Sequence, residues 1–168
     1  NTIGNFELAL QQNQFRIYLQ PQFTANKELY GAEVLIRWIH PDKGIIPPKE
    51  FIPIFERNGL ITSLDQYVWE QTCMLLKKWQ DDGINNMCLS VNISPKDFYY
   101  VDIYNEFINL VNKYSIDPCK LRLEITETAV ISNLPEQLIL IKRLRDAGFT
   151  VEMDDFGSGN SSLNTLRG

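Results

Sequence analysis

Apolar and polar residues alternate strictly from Leu121 to Thr126: Leu121, Leu123 and Ile125 fall on one side of an extended chain, and Arg122, Glu124 and Thr126 on the other. The same period of two runs through 89–94, where Leu89, Val91 and Ile93 oppose Ser90, Asn92 and Ser94, and through 151–154, where Val151 and Met153 oppose Glu152 and Asp154. Earlier, 14–24 and 28–39 read as strands joined by the polar turn Ala25-Asn26-Lys27, which predicts an antiparallel hairpin with Glu33 and Arg37 on one side of its second strand. Between the strands the period changes to that of helices, predicted at 2–13, 48–58, 63–82, 103–115 and 134–147, with another beginning near 161. In 63–82 the residues Leu64, Val68, Leu75, Leu76 and Trp79 form a core-facing stripe. The stretch His40–Pro48 reads as a loop because of its prolines and glycine.

Strands that alternate with helices beyond Gly83 predict right-handed βαβ units and a parallel sheet, an α/β architecture. About five strands are counted, with the first antiparallel, whereas a complete eight-stranded barrel takes about 250 residues. A barrel built from this sequence would lack its last strands. The chain starts at Asn1 and stops at Gly168 just after a helix-like start, so a single partial domain excerpted from a longer protein is expected over 1–168.

Composition narrows the function. With 44% hydrophobic and 11% aromatic residues the chain is globular, and its charge of −5 with no basic run argues against DNA, RNA or an anionic membrane as a partner. Cys73, Cys88 and Cys119 are widely spaced and odd in number, which suits reduced thiols and a cytoplasmic setting, although a membrane anchor could lie outside this segment. No apolar run reaches the roughly 18–20 residues of a membrane span.

The chemistry lies on the polar strand faces. Asn92, Glu124, Glu127, Asp154 and Asp155 fall at or just after the carboxyl ends of predicted strands, the edge where parallel α/β folds place ligands. Converging carboxylates repel each other unless a cation neutralises them, and an all-oxygen set suits Mg²⁺, Mn²⁺ or Ca²⁺. Asp155, across the strand from Asp154, could hold a second metal as the chain turns through Gly157 and Gly159, and two metals suit phosphodiester hydrolysis. A half-solvated antiparallel sheet would also explain a polar face, and paired carboxylates would equally suit a glycosidase. The Asp-Phe-Gly at 155–157 lacks the other segments of a protein kinase, and His40 reads as a surface residue.

Five segments, YLQPQF, GAEVLIRWIHPDKGIIPPKEFIPIFERNGLI, VNIS, LRLEITET and DDFGSGNSSL, occur in the order seen in EAL domains, the bacterial cyclic-di-GMP phosphodiesterases, and the chain resembles the amino-terminal two thirds of that family. The resemblance implies an incomplete TIM-barrel-like fold and opening of cyclic di-GMP to linear pGpG with Mg²⁺ or Mn²⁺, Ca²⁺ being inhibitory. It implies Glu33, Asn92, Glu124 and Asp154 as ligands of one metal and Asp155 of a second. Glu33, Glu127 and Asp155 would belong to the catalytic centre, with Arg37 on a phosphate and Gln20 towards a guanine. It further implies an adjacent sensor or GGDEF domain. A later lysine, glutamate and glutamine that complete the family's site are not found before Gly168, so the fragment is expected to be inactive. Its open sheet edge predicts a homodimer or swapped oligomer. Asn160 replaces the family's usual aromatic residue, which keeps a non-hydrolysing receptor or interaction module as the alternative.

Overall fold

The computed structural model describes residues 2–153. Helix α1 (Thr2–Gln11) precedes β1 (Phe15–Phe23) and β2 (Leu29–His40), which pair antiparallel as the hairpin pattern predicts. Then come β3 (Gly44–Ile46), α2 (Pro48–Asn58), α3 (Ile61–Asp81), β4 (Cys88–Ile93), α4 (Asp97–Tyr100) and α5 (Ile103–Tyr114). A 3-10 turn (Pro118–Lys120) leads to β5 (Leu121–Ile125), α6 (Glu127–Ser132), α7 (Leu134–Asp146) and β6 (Thr150–Met153). The sheet runs β1-β2-β4-β5-β6, with β2, β4, β5 and β6 mutually parallel and β3 attached to β2.

Period two decides the two faces. Ala32, Val34, Leu89, Val91, Ile93, Leu121, Leu123, Ile125 and Val151 are buried against Val68, Trp69, Cys73 and Leu76 of α3, Phe107 and Val111 of α5, and Ile141 and Leu144 of α7. Helices thus cover one face, and the alternating polar residues are left on the other. That is how a barrel wall is built, as opposed to a doubly covered open sheet. In α3 the expected stripe is broader than its sequence pattern: Trp69 and Cys73 are fully buried, whereas Leu75 and Trp79 are only half-buried at its margin. A second cluster, Phe6, Phe15, Phe51, Phe55, Ile61 and Leu64, packs under the hairpin, with Trp38 and Phe15 ring centroids 5.1 Å apart.

The loop expected at 40–48 contains a strand. Gly44, at φ 72°, pairs opposite His40, and the His40 imidazole Nδ1 accepts the backbone N–H groups of Asp42 and Lys43 at 3.1 and 3.2 Å. His40 is therefore the residue that closes a three-residue hairpin, and its ring lies against Trp38, which corrects its reading as a plain surface residue. Pro21 sits inside β1, where the missing N–H is tolerated because, among the described residues, β1 has no partner on its outer edge. Among the described glycines Gly31 lies tightest against a neighbouring backbone: a Cβ there would lie 2.4 Å from the Cys88 carbonyl oxygen on β4. No described helix is long and apolar enough to cross a membrane.

Candidate functional site

Strand registers align the polar face residue by residue. Gln20 on β1 stands opposite Glu33 on β2, Glu33 opposite Ser90 on β4, and Asn92 opposite Glu124 on β5. Glu33 and Asn92 meet: the Asn92 amide nitrogen donates to Glu33 Oε2 at 3.5 Å. Glu33 and Glu124 are half-buried, and Asn92 is exposed on the same surface. The end of β4 is fixed from behind, because Trp69, with no exposed surface, donates its indole N–H to the Asn92 carbonyl at 3.1 Å.

Glu127 opens α6 directly after β5. Its neighbour Thr126 caps that helix by accepting the Ala129 N–H at 3.2 Å, so the chain turns sharply at the strand end and keeps Glu127 near the edge predicted for it. Asp154 and Asp155 lie outside the described residues, as do Gly157, Gly159, Asn160 and the helix expected near 161. The strand that leads to Asp154 does pair as predicted, with Met153 opposite Ile125 and Glu152 opposite Glu124.

Arg37 lies four residues beyond Glu33 on the same side of β2. Among the described residues its guanidinium forms no ion pair. It donates to the Ile36 carbonyl at 3.2 Å, and its Cζ is 5.6 Å from the centroid of the Tyr18 ring. Tyr18 escaped the sequence reading; its signal was the shared parity with Gln20 on β1. The structure also pairs Ser90 with Gln22 across the face, the hydroxyl donating at 3.4 Å. Lower on the wall Arg122 and Glu152 form an ion pair, and Arg122 also faces the Tyr30 ring at 5.4 Å.

The described donors are two carboxylates and an amide, and among the described residues no group of three carboxylate, imidazole or thiol side chains is gathered for a metal. An all-oxygen set of this kind fits a hard cation, and the sequence places the next two carboxylates immediately after β6. A cavity of about 230 Å³ opens between α2, α3 and the ends of β2 and β4, lined by Arg37, Asp65, Asn92 and Ser94 among others. A larger one, about 490 Å³, lies off the polar face against Phe6, Trp38, Phe51 and Phe55, and contains none of the candidate ligands.

Comparison with known proteins gives the arrangement its context. The family model of the EAL domain matches residues 4–168. The cyclic di-GMP phosphodiesterase PdeL of Escherichia coli (strain K12) is 37% identical over 161 residues, which cover 95% of this chain and 44% of PdeL. The bifunctional diguanylate cyclase/cyclic di-GMP phosphodiesterase MucR of Pseudomonas aeruginosa is 32% identical over 160 residues, 95% of this chain and 23% of MucR. The chain therefore spans under half the length of these curated relatives. The solved structure of the PaMucR phosphodiesterase in its c-di-GMP complex superposes with a TM-score of 0.87 at 31% identity, covering 98% of this chain and 67% of that one. With the family model matching residues 4–168 and the fold superposing on a solved relative at a TM-score of 0.87, the chain belongs to the EAL domain family.

Proposed function

We propose that the complete domain hydrolyses cyclic di-GMP to linear pGpG, using Mg²⁺ or Mn²⁺ held by Glu33, Asn92, Glu124 and Asp154, with Asp155 serving a second cation. The observation that carries this reading is the contact of Glu33 with Asn92 across β2 and β4, with Glu124 one strand further on the same face, in a chain whose relatives include named cyclic di-GMP phosphodiesterases. The cations would supply charge neutralisation at the phosphodiester and a lowered pKa for the attacking water.

The chain's own groups bind and orient. Arg37, braced by Tyr18 and without a described carboxylate partner, offers its fork of donors to a phosphate oxygen. Gln20, exposed opposite Glu33, offers an amide to a guanine edge. Glu127, in the first turn of α6, would support the site and the loop that carries Asp155. An adjacent sensor or GGDEF domain, a cytoplasmic setting and association of the 168-residue chain through the β1 and β6 edges, which have no partner strand among the described residues, belong to the same proposal.

The test is product analysis by chromatography for the complete domain with Mn²⁺ or Mg²⁺, alongside calorimetry in Ca²⁺, which should bind without supporting turnover. Glu33→Ala should lower turnover by about 100-fold or more through loss of the cation. The 168-residue chain alone should give none. Binding of cyclic di-GMP without turnover in every metal would replace the enzyme by a receptor, the reading that Asn160 favours.

A further inference from the structure

Asp65 stands in the apolar stripe of α3, one turn after Ile61 and one before Val68 and Trp69, and turns its carboxyl inward towards the short α4. There its carboxyl lies within hydrogen-bond reach of that of Asp97, the first residue of α4, which has no exposed surface at all. Asp97 Oδ2 accepts the Ser94 N–H at 2.9 Å and so closes the turn that follows β4. Three buried oxygens around this point have no donor or acceptor as their partner: Asp65 Oδ2, Asp97 Oδ1 and Thr62 Oγ1, the last on a residue only 7% exposed.

An ionised carboxylate can only accept hydrogen bonds, so two of them face to face leave buried oxygens orphaned, while Thr62 has a single hydroxyl proton to offer. A proton on one carboxyl converts the same geometry into a short, charge-assisted O–H···O⁻ bond. We propose that Asp65 and Asp97 share one proton across the seam between α3 and the turn after β4, and that this proton ties the turn to the helix.

The surroundings favour it. Burial pushes the Asp65 carboxyl well above the usual carboxylate range, and the hydrogen bond and charge of Asp97 push the same way, against the pull of Ser94. Burial also raises Asp97, opposed by the nearby Asp65 and Thr62 side chains and by the Ser94 N–H it accepts. Two cations are near in the fold. Arg37 of β2 lines the same cavity as Asp65 but turns to Tyr18, and Lys96, next to Asp97, gives its ammonium to the Glu56 carbonyl of α2. Among the described residues neither forms an ion pair with Asp65 or Asp97.

The folded pair holds a proton that the unfolded chain releases near pH 4, so its stabilising contribution is complete below that value and is lost as pH rises through the folded-state midpoint. The folding constant should fall by up to about tenfold per pH unit over that window and level off beyond it. The experiment uses the complete EAL domain without added metal, combining ¹³C NMR titration of the aspartate carboxyl carbons with urea unfolding from pH 4 to 8.5. One carbon of the pair should titrate well above the others. Asp97→Asn keeps a donor for Asp65 and an acceptor for Ser94, and should lose most of the slope. Ordinary titration of both carboxyls near pH 4, or an unchanged slope in both Asp97→Asn and Asp65→Asn, would overturn the proposal. So would recovery of the lost stability by Mg²⁺ or Mn²⁺ at high pH, which would make the pair a cation site. Should a variant fail to fold, the wild-type titration decides, and none of these outcomes depends on hydrolysis.

Discussion

Gly31→Ala should pull β2 away from β4 and weaken both the fold and the candidate cation site. The added Cβ would lie 2.4 Å from the Cys88 carbonyl oxygen and 3.2 Å from its carbon, and both are backbone atoms that no side-chain rotation can remove. Carbon–oxygen contacts between strands settle at about 3.3 Å or more, so the strands must part by about 1 Å. Only three residue pairs join β2 to β4, with Gly31–Cys88 the first and Glu33–Ser90 the last. Strain from overpacking costs roughly 1–3 kcal/mol. One or two weakened ladder bonds add about 1 kcal/mol each. The smaller entropy of an unfolded alanine returns about 0.4–1 kcal/mol. The expected net loss is roughly 2–4 kcal/mol by urea unfolding. The Glu33–Asn92 contact, already 3.5 Å, lies just two residues along, so Mn²⁺ affinity of the complete domain should drop about tenfold or more. A variant with the wild-type urea midpoint and the wild-type Mn²⁺ affinity would show that the close approach of these strands does not set the site.

Tyr18→Ala should raise KM for cyclic di-GMP in the complete domain by roughly two- to fivefold, the worth of a partly exposed cation–π contact, while Tyr18→Phe keeps the ring and stays near wild type. Equal effects of the two substitutions would rule out the ring as the brace of Arg37. Burial pushes the Cys73 thiol up to about 12, with the nearby Glu70 charge acting in the same direction. Its stabilising contribution is complete below the ordinary thiol value of about 8.5 and is lost as pH rises through about 12. Stability should therefore decline from about pH 9 upward, and Cys73→Ala should lack that component. At pH 8 a thiol reagent should modify exposed Cys119 in the native protein and Cys73 only after unfolding; equal rates for the two would contradict the burial argument.

The long-period features of the fold were legible because one face of each strand had to be apolar. The alternation in 121–126 sets both the burial of Leu121, Leu123 and Ile125 and the placing of half-buried Glu124 on the other face, opposite Asn92. Short elements were hidden. β3 is three residues long and exists through the His40 turn and its pairing with β2, and α4 and α6 are four and six residues long, too short for any periodicity to announce them. The Asp65–Asp97 pair had a signal that went unread: an acid at helical spacing from Ile61, Val68 and Trp69, on the buried stripe of α3. Its partner, 32 positions away, could be found only from the fold. Tyr18 was likewise one step of parity from Gln20, yet its pairing with Arg37 depends on the hairpin register.

The aromatic cluster under the hairpin bears on how the chain reaches this state. Phe6, Phe15, Phe51, Phe55, Ile61 and Leu64 all come from the first 64 residues, while the main core waits for β5 and β6 near the end. Closing the shorter loops costs less entropy, so the hairpin, α1 and α2 can condense before the distant strands have a partner. On a ribosome this order would give the emerging chain a ready edge, the exposed side of β2, against which β4 and then β5 dock in sequence. Phe51→Leu should then slow folding more than Leu123→Ala, relative to the stability each removes, and a lower φ-value at Phe51 than at Leu123 would reverse the order.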